Sequence, residues 1–162
     1  MTFNATLAIL INGNRLVPYA PRLRSDQMPQ RLVYLRWECR DQVEALEDDP
    51  GGENPDPIPR EQIKGLLDDF CAGEDFERPD DYEPRGKKLF VLRTRSVRAG
   101  VVFLSPEVMV VLDIKPRASF NRKKGGALNF PKWYQTCRVL AEGLRLMTFA
   151  MENDPWAENA KH

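Results

Sequence analysis

Histidine and cysteine are scarce in this sequence, and their scarcity excludes several kinds of site. The single histidine, His162, is the last of the 162 residues. Histidine is the usual acid–base group and a common metal ligand near neutral pH, so we expect neither histidine-based catalysis nor a histidine metal site. The three cysteines, Cys39, Cys71 and Cys137, lie far apart and form no CxxC pair. We therefore expect reduced thiols, without a disulfide framework, a metal site or a cofactor.

Long apolar runs are also lacking. No run approaches the roughly 20 residues that a membrane-spanning helix needs. The N-terminal stretch MTFNATLAILINGNRL has neither a basic region nor a small-residue cleavage site, which argues against a signal peptide. Hydrophobic residues make up 42% of the chain and charged residues 30%, as in globular domains. We expect an intracellular protein without a membrane partner, in the cytoplasm or nucleoid, or in the nucleus if the source is eukaryotic.

The charges of the two signs are equal in number but separated along the chain. Residues 38–83 contain seventeen acidic and four basic side chains, a balance of −13. Residues 84–124 contain eleven basic and two acidic side chains, a balance of +9. Such a separation indicates a basic surface for an anionic partner and an acidic segment that screens it or recruits a protein.

The first half of the chain predicts a hairpin and two helices. Apolar runs at 5–11 and 15–19 flank Asn12-Gly13, a pair that favours the type I′ turn of a hairpin. Residues 28–47 fit both a helical stripe and an alternating strand pattern, and their Leu, Arg, Glu and Gln content favours the helix. A second helix is predicted over 59–73, between two acidic, proline-rich connections.

The second half predicts a strand meander followed by a long helix. The runs KKLFVLRTR, GVVFL and EVMVVLDIK are joined by links that are short enough only for antiparallel neighbours. A basic loop at 116–125, a short strand GALNF and a helix over 131–151 follow.

The fold class that these patterns predict is α+β, with an antiparallel sheet covered by helices. The sheet is expected as a meander followed by a long C-terminal helix, with an N-terminal hairpin and one or two extra helices. We divide the chain near residue 84, into 1–84 with the hairpin, helices and acidic connections and 85–162 with the strand-rich module. Both parts are expected to form one compact unit, and the sequence leaves open whether residues 1–37 join the same sheet.

Residues 87–151 contain short motifs in a recognisable order. A strand ends in VLDIK (111–115), the basic segment KKGGALN (123–129) follows a loop, and Pro131 opens a helix that carries Trp133. In these features the segment resembles the positive cofactor four family of single-stranded-DNA-binding transcriptional coactivators. The resemblance implies binding of single-stranded DNA and a homodimer, and the wide apolar face of the last helix also favours dimerisation.

The residue types predict the same kind of surface without the resemblance. Single strands are held by cations that follow the backbone and by rings on which bases stack. Arg93 and Arg95 are two apart and are expected on one face of a strand, with Phe120 and Tyr82 as stacking candidates. The adjacent glycines of the basic loop are expected to let backbone N–H groups approach a phosphate. The predicted nucleic-acid-binding residues are Lys87, Lys88, Arg93, Arg95, Arg98, Lys115, Arg117, Phe120, Arg122, Lys123, Lys124, Gly125 and Gly126.

The function that we expect is non-catalytic binding of single-stranded DNA or RNA, with DNA favoured and little sequence preference. Transcription and DNA metabolism, including that of a phage or mobile element, are the processes such a protein serves. Two alternatives stay open. The acidic segment 38–83 is suited to a protein partner, or to imitating a phosphate backbone and inhibiting a nucleic-acid-binding protein. The motif that includes Asp113 and Lys115 also resembles the DxK strand of a PD-(D/E)xK nuclease, which needs a metal ion and a second carboxylate.

Overall fold

The computed structural model describes residues 2–46 and 57–156, which form four helices around one mixed sheet. The helices are α1 (Phe3–Asn12), α2 (Trp37–Glu44), α3 (Pro59–Cys71) and α4 (Phe130–Gly143). The strands are β1 (Leu16–Pro18), β2 (Leu32–Arg36), β3 (Tyr82–Pro84), β4 (Phe90–Arg93), β5 (Val97–Ser105) and β6 (Val108–Pro116). Two short 3₁₀ turns, Arg117–Phe120 and Arg122–Lys124, lie between β6 and α4. No helix within the described ranges is long and apolar enough to cross a membrane.

The sheet has six strands in the order β1-β2-β6-β5-β4-β3. Strands β4, β5 and β6 form the antiparallel meander that the sequence predicts, and β2 is parallel to β6. The α+β class, the mostly antiparallel sheet and the C-terminal position of the last helix are thus confirmed. Strands β1 and β2 come from the first 37 residues, so this part of the chain joins the same sheet.

Helices cover both faces of the sheet because its central strands are apolar on both sides. Alternate residues of β5 pack in two separate core clusters: Val101 and Phe103 face α2 and α3, while Val102 and Leu104 face α1 and α4. Period-two alternation sends neighbouring side chains to opposite faces, and each face needs its own cover. The result is a three-layer arrangement of helices, sheet and helices.

The predicted N-terminal hairpin is wrong, because residues 3–12 form α1. Thr2 caps this helix, with its Oγ1 accepting a hydrogen bond from the Ala5 N–H at 3.2 Å. Asn12-Gly13 ends the helix and does not form a hairpin turn, since the Gly13 N–H donates to the Ile9 carbonyl at 2.9 Å. An Asn-Gly pair is compatible with either structure, and here the segment before it is a capped helix that buries Leu7 and Leu10 on one side. The described ranges therefore contain three helices besides α4, where the sequence predicted one or two.

The ambiguous segment 28–47 contains a strand and a helix in succession. Val33 and Leu35 are buried in β2, and Cys39 and Val43 are buried on one face of α2. The predicted helix is wrong before Trp37 and correct from that residue on. The predicted helix 59–73 is confirmed as α3, which Gly73 follows at φ +92°. Strand β3 was not expected, since its three residues lie in a connection dominated by acids and prolines.

The last helix is shorter than expected and the strand GALNF does not form. Helix α4 ends at Gly143, and Arg145 takes the left-handed conformation at φ +59°. The apolar residues that follow are still buried: Leu146 is inaccessible, and the Met151 N–H donates to the Phe103 carbonyl at 2.7 Å. The apolar residues after Gly143 are therefore buried although they are not helical, and the apolar pattern alone overestimated the length of the helix. Most of the wide apolar face that suggested a homodimer covers the sheet, and the homodimer stays a prediction.

Candidate nucleic-acid interface

Three basic side chains lie directly opposite one another across β4, β5 and β6. Arg93 pairs with Arg98, and Arg98 pairs with Lys115 of the next strand. Directly opposed residues of antiparallel strands have Cβ atoms about 5 Å apart, and like charges at such positions are destabilising. We call these three residues the cation row. All three belong to the predicted binding residues, and the register of the sheet brings them together.

A β-bulge in β6 determines which of its side chains face α4. The register between β5 and β6 shifts by one residue at Leu112, the additional residue of the bulge. Ile114 consequently packs against α2 and α3, whereas Asp113 and Lys115 face α4. Without the additional residue, the alternation of the strand would turn Lys115 to the other face, away from Arg98.

Four arginines and two aromatic rings surround one pocket at this end of the sheet. The pocket has a volume of about 240 Å³. Its lining residues, which we call the arginine pocket, are Arg85, Val91, Arg93, Arg98, Arg117, Phe130 and Tyr134. Drug-sized ligands occupy pockets of about 300 to 1,000 Å³, so this one suits a smaller group such as a phosphate with part of its nucleoside.

Arg98 is the buried member of the pocket, with 6% of its surface exposed. Its Nη1 donates to the carbonyls of Thr94 and Val97, at 2.5 and 2.9 Å. Within the described ranges no carboxylate lies at salt-bridge distance from Arg98, and its Nε and Nη2 have no hydrogen-bond partner. Arg98 lines the pocket, and these two nitrogens are the donors that its described contacts leave unused. Burial, together with the charges of Arg93 and Arg117, lowers the pKa of Arg98 to about 10.

The other side of the pocket is partly neutralised by Glu83. Its carboxylate pairs with the Arg85 guanidinium and lies 3.3 Å from Arg93 Nη1. Arg85 Nε donates to the Tyr134 hydroxyl at 2.9 Å, and its guanidinium carbon is 5.6 Å from the centre of the Tyr134 ring. Arg117 is exposed and has no carboxylate partner among the described residues. One carboxylate against four guanidinium groups leaves the arginine pocket strongly positive.

Phe130 and Tyr134 are the aromatic residues of the pocket, and the sequence did not single them out. They are four apart on α4, which places them on one side of its first turn beside the buried stripe of Trp133. Of the two stacking candidates, Phe120 is stacked on Phe130 with ring centres 4.0 Å apart. Tyr82 is buried in the core at 3% exposure, so it is unavailable to a base. Their spacing of four residues along α4 is the sequence signal that would have identified Phe130 and Tyr134.

The two glycines of the basic loop shape the loop and do not present free N–H groups. The Gly125 N–H donates to the Arg122 carbonyl at 3.2 Å, and the Gly126 N–H donates to the Asn121 carbonyl at 2.9 Å. Gly125 has φ +81°, which favours glycine. A Cβ on Gly126 would lie 2.3 Å from the Ala118 carbonyl oxygen. The expected approach of these two amides to a phosphate is therefore wrong, because both are already bonded within the loop.

The described side chains of the remaining predicted cations do not line the arginine pocket. Arg95 lies in the turn after β4, so the expected shared strand face with Arg93 is wrong. Lys88 Nζ donates to the Met147 carbonyl at 2.7 Å, and Lys87 is exposed beside it in the β3–β4 turn. Lys123 is exposed in the loop. The side chain of Lys124 lies outside the described parts of the structure.

A second pocket of about 540 Å³ lies on the other side of the first turn of α4. Phe130 and Tyr134 line the arginine pocket, whereas Lys132 and Trp133 line the second pocket. The second pocket also contains Arg122 from the basic loop. The cations of the predicted interface thus fall on two sides of one helix turn.

Asp113 forms the floor of the second pocket and is fully engaged. Its Oδ2 accepts from the Trp133 indole N–H at 2.8 Å, and its Oδ1 accepts from Gln42 Nε2 at 2.7 Å. Arg36 Nη2 lies 3.4 Å from Oδ1, and Lys115 Nζ lies 3.8 Å from Oδ2. Four donors around one buried carboxylate tie α2, α4 and the sheet together, which explains Asp113 as a structural residue. No cluster of three metal-ligating side chains occurs within residues 2–46 and 57–156.

Basic partners neutralise part of the acidic segment 38–83. Five of its seventeen acidic residues lie at 47–56, outside the described ranges. Its other acids form ion pairs that include Glu44–Lys64 at 2.8 Å, Glu61–Arg22 at 2.5 Å, Asp68–Arg22 at 2.9 Å and Asp75–Arg31 at 2.6 Å. These pairs leave fewer free carboxylates for a surface that imitates a phosphate backbone.

Comparisons of the chain with models of protein families, with curated proteins and with solved structures found no match. The resemblance of residues 87–151 to the positive cofactor four family therefore stays a prediction. The geometry of the two pockets is the basis for a functional proposal.

Proposed function

We propose that this protein binds single-stranded nucleic acid without catalysis, with DNA favoured and little sequence preference. The observation that carries the proposal is the cation row beside the arginine pocket. The register of the sheet places Arg98 directly opposite two other cations, Arg93 and Lys115. A carboxylate lies within 4 Å of each of these two neighbours, but none of the described residues brings one so close to Arg98. Such an arrangement costs stability, and an anion between the guanidinium groups offsets that cost.

The aromatic rings favour an unpaired strand over a duplex. Phe130 and Tyr134 border the arginine pocket, and a base that stacks on such a ring gains about 1–3 kcal/mol. Stacking requires an unpaired base and tolerates every base type, in keeping with little sequence preference. A strand that leaves the arginine pocket reaches Lys132 and Arg122 by crossing the first turn of α4.

Fluorescence anisotropy tests this proposal directly. A labelled single strand of about 20 bases and the duplex of the same sequence are titrated at low and moderate salt. We expect the single strand to bind more tightly. If four phosphates are contacted, log K against log salt has a slope of about −3. Equal binding of the duplex, or no binding of either form, contradicts the proposal.

Variants locate the binding surface. Arg117→Ala combined with Arg122→Ala removes one cation from each pocket, and both side chains are exposed, so the fold is retained. We expect affinity for the single strand to fall at least tenfold at low salt and the salt slope to become shallower. Arg40→Ala removes one exposed arginine from α2 that lines neither pocket, and is the matched control. An equal loss in the control would indicate a general charge effect.

A further inference from the structure

We propose that the arginine pocket holds a terminal phosphate of the nucleic-acid strand, a phosphate monoester at either the 5′ or the 3′ end. This inference rests on the proposed function and specifies the ligand of its central pocket. It derives from the charge of the pocket, the open donors of Arg98 and the volume that the walls enclose.

The charge of the pocket matches a dianion better than a monoanion. Four guanidinium groups and the carboxylate of Glu83 leave three positive charges around about 240 Å³. A phosphate monoester carries nearly two negative charges at neutral pH, because its second pKa is about 6. A phosphodiester inside the strand carries only one negative charge. The excess of positive charge therefore discriminates between the end of a strand and its interior.

Arg98 supplies the donors that such a group requires. Arg98 lines the pocket, two of its guanidinium nitrogens are bonded to no other described residue, and Nη1 is fixed by the Thr94 and Val97 carbonyls. A guanidinium anchored in this way presents a preorganised pair of N–H groups, the arrangement that binds phosphate oxygens in a bidentate manner. Arg117, exposed at the rim, approaches the same group from the end of β6.

The dimensions of the pocket favour the end of a nucleic-acid strand over an internal segment that continues in both directions. Its volume is below the range of drug-sized ligand sites and suits one phosphate with part of the adjoining sugar. Phe130, on which Phe120 is stacked, forms one boundary, and Tyr134, held by Arg85, forms another. A strand that begins in the pocket has an exit over the first turn of α4 toward the second pocket.

The test compares three single strands of one sequence, of about 20 bases, that differ only at their ends. One has a 5′-phosphate, one a 3′-phosphate, and one hydroxyl groups at both ends. We expect at least one phosphorylated strand to bind about tenfold more tightly than the hydroxyl strand at pH 7.5. The end that gains affinity identifies the source of the phosphate. The preference is expected to decline below about pH 6, where the monoester dianion takes up a proton and becomes a monoanion.

Two variants keep the test independent of folding. Arg98→Lys retains the charge but loses the paired N–H groups, and Arg117→Ala removes an exposed side chain. In both we expect the ratio between phosphorylated and hydroxyl strands to fall toward one, with thermal melting as the check of the fold. Arg40→Ala is the control and should retain the ratio.

The outcomes separate the two proposals. Equal affinity of all three strands overturns the terminal-phosphate inference and leaves single-strand binding intact. Absence of binding to every strand overturns the proposed function and this inference with it. A preference for phosphorylated ends that persists in Arg98→Lys and Arg117→Ala places the phosphate elsewhere on the protein and also overturns the inference.

Discussion

Two buried charged residues at one end of the sheet have opposite environments. Asp113 is surrounded by donors from Trp133, Gln42 and Arg36, so its charge is compensated within the fold. Arg98 is equally buried but has no carboxylate partner in the described ranges. A compensated buried charge stabilises a particular arrangement of elements, whereas an uncompensated one is costly and marks a place where a ligand adds the missing charge.

Removal of the Asp113 carboxylate is therefore expected to affect stability. In Asp113→Ala the buried Arg36 loses a partner and the Trp133 indole loses its acceptor, so we expect the free energy of unfolding to fall by about 3–5 kcal/mol. Urea denaturation followed by tryptophan fluorescence measures the change. Glu38→Gln alters the exposed partner of Arg36 and serves as control, with an expected loss below about 1 kcal/mol.

The same variant distinguishes the nuclease alternative. An Asp113→Ala protein of unchanged stability that loses a magnesium-dependent cleavage of DNA would show that the carboxylate binds a metal ion. Both oxygens of Asp113 accept hydrogen bonds within the fold, so we expect Asp113→Ala to lower stability and to abolish no magnesium-dependent cleavage.

At the scale of elements, the loop between β6 and α4 depends on one close backbone approach. A Cβ on Gly126 would meet the carbonyl oxygens of Ala118 and Ser119 at 2.3 and 2.5 Å. Backbone atoms cannot move aside as a flexible side chain does. The loop that positions Arg117 and leads into α4 therefore requires glycine at this position.

Gly126→Ala is expected to destabilise the protein by about 1–3 kcal/mol, because the loop must shift to admit the methyl group. Gly65→Ala is the matched control: Gly65 lies inside α3, and nothing stands within 4 Å of its added Cβ. We expect this control to stabilise the protein by about 0.5–1 kcal/mol, since alanine has the higher helix propensity. Denaturant midpoints of both variants measure the effects, and shifts of the same sign would contradict this account of the loop.

The sequence predicted those elements whose signals were local and consistent. Helix α3 has proline at its start and glycine after its end, and the β4–β6 meander has short links and apolar runs. The prediction for the N-terminal segment was wrong because Asn12-Gly13 suits both a hairpin turn and a helix end, and the spacing of Leu7 and Leu10, which the helix buries together, was not recognised. Strand β3 is too short for a pattern of its own.

The candidate site was predictable in composition but not in arrangement. Arg93, Arg98 and Arg117 were identified from charge, yet their convergence depends on cross-strand register and on the bulge at Leu112. Neither the register between strands nor the position of the bulge can be read from a single sequence. Arg85 was missed because it lies in an acidic connection, and its contribution became evident from its contacts with Glu83 and Tyr134.

At the scale of the whole molecule, the sheet joins the two parts of the chain that differ in charge. Strand β2 from the first part pairs with β6 from the second, and β3 pairs with β4 across the predicted boundary near residue 84. The cysteines are buried on both faces of the sheet: Cys39 and Cys71 lie in the core with α2 and α3, whereas Cys137, a residue of α4, is buried against the opposite face. Shared strands favour cooperative unfolding of all layers.

Thiol labelling tests this cooperativity. Burial raises the pKa of Cys39 and of Cys137 to about 12 and that of Cys71 to about 11, so the native thiols are protonated as well as inaccessible. We expect negligible alkylation at pH 8 without denaturant. In increasing urea, pulse alkylation with mass spectrometry should give one common midpoint for the three residues, because unfolding of one layer exposes the core of the other. If Cys137 is labelled at a lower urea concentration than Cys39 and Cys71, the strand-rich module unfolds on its own and the chain consists of two units despite its single sheet. A common midpoint means that the stability of the arginine pocket is that of the whole molecule, so an anion bound there should raise the midpoint of all three thiols together.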